Sequence, residues 1–220
     1  MYWRDEGYLL SKNNFDENSY IIEVFTLGHG KYSGIVYGGT SKKQKINFQI
    51  GNKILLNWKS RNENKSGYFN VELIKPISPL FFDDKKKSSS ILAASSILKI
   101  LLPERQVNEN VYNSFEKMLD NLKSSYWITL YIYWELSLIK ELGYEVNFLN
   151  NLDNNNSITI NNKIFKVPKI LFKNHEEKEF NNKDVMEALI FNKNLLMENF
   201  IIPHKLGFPL YRSLLEHYYN

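Results

Sequence analysis

Strand-like spacing stops at Pro76 and Pro79, and that break constrains the chain more than any other feature. Before it, short runs rich in β-branched and aromatic residues alternate with Gly, Asn and Ser turn signals. After it, apolar residues recur every three or four positions. The first part holds five runs, at residues 8–10, 20–25, 31–37, 53–58 and 68–73. In the second of these, Tyr20, Ile22 and Val24 face one way and Ile21, Glu23 and Phe25 the other. Apolar residues on both faces fit a closed or nearly closed sheet. Five short strands with a polar, basic connection over residues 60–67 predict an OB-fold barrel across residues 1–78.

Residues 79–220 read as a helical bundle. A helix capped at Ser88 or a neighbour runs through Ile91, Leu92, Ile97, Leu98 and Leu101 and is stopped by Pro103. Val111, Phe115, Leu119 and Leu122 form one face of a second. The third, over residues 124–142, is apolar nearly all round and should be central. After a polar break at 150–156, residues 157–167 spell a β-hairpin turning at Asn161-Asn162, part of an insertion at about 149–172. Asp184 with Glu187 resembles a capping box, and Pro209 opens a last helix through Leu210, Leu214, Leu215 and Tyr218. The fold class is therefore α+β and multi-domain: a five-stranded OB-fold β-barrel, then an α-helical bundle domain with a small β-hairpin insertion.

Charge is distributed unevenly between the two parts. The whole chain carries +4, with eleven basic and seven acidic residues up to residue 78 and seventeen of each after it. Residues 31–65 alone carry +7, more than the total. From Gly28 into that segment, glycines at 28, 30, 34, 38 and 39 punctuate a strand and a flexible loop that ends in Lys42, Lys43 and Lys45. Localised positive charge on one module is the footprint that phosphate binding requires. Lys31, Lys42, Lys43, Lys45, Lys59 and Arg61 are the candidate phosphate contacts, and Tyr32 and Tyr37 the candidate stacking faces for unpaired bases. The plainer alternative is that the lysines are solubilising surface charges and the tyrosines pack in the core.

Several chemistries are excluded or find no support. The chain has no cysteine, so it has no disulfide, zinc ribbon or thiol nucleophile. Its four histidines are scattered without ligand spacing, and the acid clusters sit among polar residues. Neither the dinucleotide fingerprint nor the phosphate loop of nucleotide hydrolases is present, since Ser33 stands where a third glycine belongs and Gly38-Gly39-Thr40-Ser41-Lys42 has the wrong spacing. No catalytic constellation, cofactor or metal is expected. The longest apolar run, 126–139, is interrupted by Glu135 and too short to span a bilayer. With no signal-peptide pattern at residues 1–7, the cytoplasm is the expected location and no membrane partner is expected.

Certain segments, taken in order, resemble the bacterial RecO family. They are Trp3-Arg4-Asp5-Glu6-Gly7 with Leu9-Leu10-Ser11, then Glu17-Asn18-Ser19 with Ile21-Ile22-Glu23-Val24-Phe25-Thr26, Gly30-Lys31, and Gly38-Gly39-Thr40-Ser41-Lys42-Lys43. Leu101-Leu102-Pro103-Glu104-Arg105, Trp134-Glu135-Leu136 and Glu141-Leu142-Gly143-Tyr144 follow in the second part. The resemblance implies an OB-fold and a helical domain that bind single- and double-stranded DNA and anneal complementary strands. It further implies recruitment to the acidic tail of single-stranded-DNA-binding protein and, with RecR, help in loading a RecA-type recombinase. The role implied is in DNA repair, recombination and the response to DNA damage, at the bacterial nucleoid and without enzymatic activity. Two departures stand out. The four-cysteine zinc site of many members is missing from residues 148–172, and Tyr133 stands where members often carry an arginine. Lys99, Arg105 and Arg212 are the substitute cations for a partner's acidic tail, and Trp134, next to Tyr133, is a further candidate partner contact. A protein-only OB-fold adaptor and an RNA-binding module remain open.

Overall fold

A single long strand organises the first half. β1 (Tyr2–Asn14) pairs antiparallel with β4 (Lys53–Lys59) through residues 2–8 and with β2 (Ser19–Thr26) through residues 7–14. It thus serves two neighbours in succession, and a register irregularity between Leu9 and Ser11 marks the bend. β3 (Gly30–Tyr37) follows β2, and β5 (Gly67–Lys75) pairs antiparallel with β4. A short parallel contact, Gly34 against Gly67 and Ile35 against Tyr68, closes the barrel in the order β1-β2-β3-β5-β4. The closing contact needs glycine. A Cβ on Gly34 would come within 2.6 Å of the Phe69 ring and 3.0 Å of the Gly67 carbonyl. This is the five-stranded OB-fold barrel.

The structure is a computed structural model and describes residues 1–41, 45, 47–61, 67–144, 156–172 and 180–220. All five expected strands are present, and β1 extends well beyond the expected 8–10. Its alternation was obscured by Asp5 on the inward set, where a carboxylate accepts from the Gly28 amide at 2.8 Å. Tyr20, Ile22 and Val24 line the barrel interior with Leu9, Val36, Phe48, Ile54, Leu56, Trp58 and Phe69. Each such side chain, fully buried, contributes about 1.5–3 kcal/mol.

The chain divides into two compact units, Met1–Tyr112 and Asn113–Asn220. The first is larger than residues 1–78 because α1 (Lys85–Leu101) packs against β1. Asp84 caps α1 by accepting from the Lys87 amide at 3.0 Å, one turn before Ser88. Three ties fasten this helix and its exit to the barrel. Lys99 Nζ lies 2.6 Å from Glu23 Oε2, Lys31 Nζ donates to the Lys99 carbonyl at 2.7 Å, and the Arg105 amide donates to the Lys31 carbonyl at 2.8 Å. The Tyr112 ring, on α2 (Glu109–Asp120), then packs on Tyr8 and Phe25.

In the second unit α3 (Trp127–Glu141) is the central helix, as its composition predicts. It starts three residues after Ser124 because residues 121–123 form a tight 3₁₀ turn first. Strands β6 (Ser157–Ile160) and β7 (Lys163–Lys166) make the hairpin, with Asn161 and Asn162 both at positive φ, as its two-residue turn demands. α4 (Asn182–Leu196) is capped by Asn181, which accepts from the Asp184 amide at 2.9 Å. Asp184 is thus the acid of the first turn, where the helix dipole favours it, and the cap sits one turn earlier than expected. α5 (Leu210–His217) begins directly after Pro209.

Candidate nucleic-acid interface

Register places residues on the outer wall of the barrel in rows across β1, β4 and β5. Tyr2 pairs with Lys59 and Lys59 with Tyr68; Arg4 pairs with Asn57 and Asn57 with Asn70; Glu6 pairs with Leu55 and Leu55 with Glu72. Residues two apart on a strand share a face, so these three rows lie side by side on one surface. The inward set between them is Trp3, Trp58 and Phe69. The first row is aromatic and cationic, and the third is acidic.

The first row is open to solvent. Tyr2 is 60% exposed, Tyr68 40% and Tyr37 65%. Tyr37 stands 6.3 Å from Tyr68, ring centre to ring centre, because it lies two residues beyond Ile35, the parallel partner of Tyr68. Lys59 Nζ sits 5.6 Å above the Tyr2 ring, and the Tyr2 hydroxyl donates to Asn57 Oδ1 at 3.0 Å. Tyr2, Lys59, Arg61 and Tyr68 line a cleft of about 470 Å³. Three exposed rings with cations among them have the chemistry to stack unpaired bases and neutralise phosphates.

Of the residues singled out in the sequence, Lys59, Arg61 and Tyr37 gather on this wall. Tyr2, Arg4 and Tyr68 were missed. All three lie on strands that the sequence reveals at least in part, and cross-strand register is the missing signal. Lys45 is exposed and its charge opposes that of Lys12, a further cation that the sequence reading passes over, whose ammonium lies 5.5 Å from the Tyr20 ring. Burial and then the Lys45 charge hold the Lys12 ammonium below its ordinary pKa. Lys42 and Lys43 lie outside the described residues.

Four expectations need correction. Lys31 is only 8% exposed and its ammonium is committed to the Lys99 carbonyl, so it is not a surface cation; burial lowers its pKa. Tyr32 faces the barrel interior, with its ring edge-on to Trp3 at 5.1 Å and Trp58 at 5.5 Å. Arg212 is fully buried, so it offers no charge to an acidic tail. It donates through Nε to Glu135 Oε1, through one terminal nitrogen to Glu216 Oε1 at 2.8 Å, and through the other to Glu135 Oε2 at 3.0 Å and the Leu189 carbonyl at 2.8 Å. Trp134 is likewise buried, packed on Phe115 and Tyr131. Lys99 is held by Glu23, and Arg105 lies in the first unit beside Tyr32. Of the four residues expected to meet a protein partner, Trp134 and Arg212 are thus closed off inside the second unit.

Tyr133, in the position where an arginine is usual, donates its hydroxyl to the Ile170 carbonyl at 2.8 Å, and burial raises its pKa. Where a zinc site would stand, Lys163 Nζ lies 2.6 Å from Glu198 Oε1 and Asn161 Nδ2 donates to the Glu198 carbonyl at 3.1 Å. Among the described residues no group of three His, Asp or Glu side chains is placed to hold a metal ion, and no helix is long and apolar enough to cross a membrane.

Two family models match the chain in sequence order: Recombination protein O N terminal over residues 1–77 and Recombination protein O C terminal over residues 83–188. The chain belongs to the RecO family. Among similar proteins, the DNA repair protein RecO of Roseobacter denitrificans is 37% identical over 145 residues, 66% of this chain and 60% of that protein. The RecO of Cereibacter sphaeroides is 37% identical over 144 residues, with the same two shares, and that of Hyphomonas neptunium is 34% identical over 147 residues, again 66% and 60%. The chain thus matches about 60% of the length of these RecO relatives.

Proposed function

We propose that this RecO-family chain is a DNA-binding protein of repair and homologous recombination. It takes single- and double-stranded DNA on the first unit, anneals complementary strands and, with RecR, helps load a RecA-type recombinase onto strands coated by single-stranded-DNA-binding protein. The names of its relatives support the repair role. The observation that carries the binding step is the exposed row Tyr2, Lys59 and Tyr68, with Tyr37 and Arg61 beside it. A base stacked on a tyrosine uses its flat face and keeps its pairing edge free, while the cations neutralise phosphates. That combination suits annealing, since the held strand can still be read by its complement. The lysines at 42, 43 and 45 extend the charge, and no cofactor or active site is part of the reading.

Fluorescence anisotropy with a short single-stranded DNA across a salt series tests this. If four or five phosphates are neutralised, log affinity falls against log salt with a slope of about −3 to −3.5. Tyr2→Ala with Tyr68→Ala should weaken binding by about tenfold or more, at roughly 1–3 kcal/mol per stacked base. Lys42→Glu with Lys43→Glu should weaken it and leave thermal stability nearly unchanged. Binding that ignores salt and all of these substitutions would favour a protein-only adaptor. Tighter binding to RNA than to DNA of equal length would favour an RNA-binding module.

A further inference from the structure

At the end of the barrel marked by the turn between β2 and β3, a second aromatic group surrounds a strained arginine. The His29 ring stacks on Trp3 at 4.2 Å with an interplanar angle of 12°. Trp3 meets Tyr32 edge-on, and the Arg105 guanidinium carbon lies 5.4 Å from the Tyr32 ring centre. Asp5 holds the far side of His29, with Oδ2 at 2.8 Å from Nδ1. Arg105 is exposed, His29 and Tyr32 partly so.

Arg105 has φ of +59°, a left-handed conformation that glycine adopts freely and arginine does not. Its backbone is fixed there: the amide donates to the Lys31 carbonyl, and the next residue, Gln106, lies so close to Gly30 that a Cβ on Gly30 would run into its carbonyl. A glycine at 105 would satisfy the same backbone with no strain. What the chain gains by carrying arginine at this position is the guanidinium, aimed over Tyr32. Strain kept in a well-fixed segment points to use of the side chain.

We infer that Arg105 and His29 form a second nucleic-acid contact, in which Arg105, held over the edge of the core at Tyr32, takes a phosphate of a single strand and the outer face of His29, backed by Trp3, meets the adjoining base. This rests on the DNA-binding reading above and adds to it a site separate from the tyrosine row on the outer wall. A planar guanidinium over a ring, next to a flat aromatic stack, matches a nucleotide, in which every phosphate has a base beside it, whereas an acidic peptide supplies a ring only where an aromatic residue adjoins its carboxylates. Two sites on one barrel give a strand two points of hold.

The test uses the full chain and oligothymidylate, comparing wild type, Arg105→Gly, Arg105→Lys and the Tyr2→Ala, Tyr68→Ala pair by anisotropy over a salt series, with melting temperatures for each. Arg105→Gly should melt at or above the wild-type temperature, bind about fivefold more weakly, and show a salt slope shallower by about 0.7, the loss of one phosphate contact. Arg105→Lys should recover the slope and only part of the affinity, since the point charge returns without the planar fork. Unchanged affinity and slope in Arg105→Gly, with binding still lost in the tyrosine pair, would overturn this site alone. So would a lower melting temperature with unchanged binding, which would make Arg105 a packing residue. Absence of any wild-type binding at low salt would overturn the DNA-binding reading and this site together.

Discussion

Arg212 can carry its charge in the interior because four acceptors surround it: both oxygens of Glu135, one of Glu216 and the Leu189 carbonyl. Glu135 also accepts from the Tyr131 hydroxyl at 2.8 Å and from Asn192 at 3.1 Å, and Lys193 balances Glu216 at 3.0 Å. Removing one partner leaves a buried charge alone. Arg212→Met should therefore cost about 3–5 kcal/mol in urea denaturation, and adding Glu135→Met should return much of that loss. Tyr131 gives the network a pH signature. Burial, and then the Glu135 charge, hold its phenol well above the ordinary value near 10. The folded protein keeps this proton where the unfolded chain has lost it, so stability is intact below about pH 10 and falls as pH rises beyond it. Melting curves through that range should slope less steeply for Tyr131→Phe. None of this was visible in the residue types alone. Arg212 read as a spare surface cation, and Lys31 looked the same as Lys59. Exposure depends on which helix or strand lies above a residue, and a single sequence does not record that.

At the scale of elements, the parallel contact between β3 and β5 depends on the absence of a side chain at Gly34. Gly34→Ala should lower stability by about 1–3 kcal/mol, because Phe69 and the Gly67 carbonyl cannot both move away, and circular dichroism melts would register it. The strands themselves were legible, since alternation in β2 and the turn residues between strands are local signals. So was the hairpin turn at Asn161-Asn162, because paired positive φ angles call for that chemistry. Less legible were the limits of elements. The caps of α1 and α4 fall at Asp84 and Asn181, each about one turn before the expected residue, because several polar residues precede each helix and only backbone geometry selects among them. The tyrosine row was hidden for a different reason. Tyr2 and Tyr68 are sixty-six positions apart and meet only through Lys59.

For the molecule as a whole, α1 and the start of α2 belong to the compact unit that contains the barrel. Residues 1–112 should thus fold alone with one cooperative melt. A fragment of residues 1–78 loses the cover of Tyr112 over Tyr8 and Phe25 and leaves the Lys31 ammonium without the Lys99 carbonyl. It should melt at least about 10 °C lower than the longer fragment, since each kcal/mol shifts a domain of this size by about 4–8 °C. The family assignment and the two-part plan were legible from motif order, whereas this division of labour needed the packing. The hairpin's clamp has its own implication. Lys163 is largely exposed where it meets Glu198, so the pair is screened by dissolved ions. A metal-held insertion would respond to a chelator. Here the hold of Lys163 on Glu198 weakens as the salinity of the medium rises, with no metal to lose.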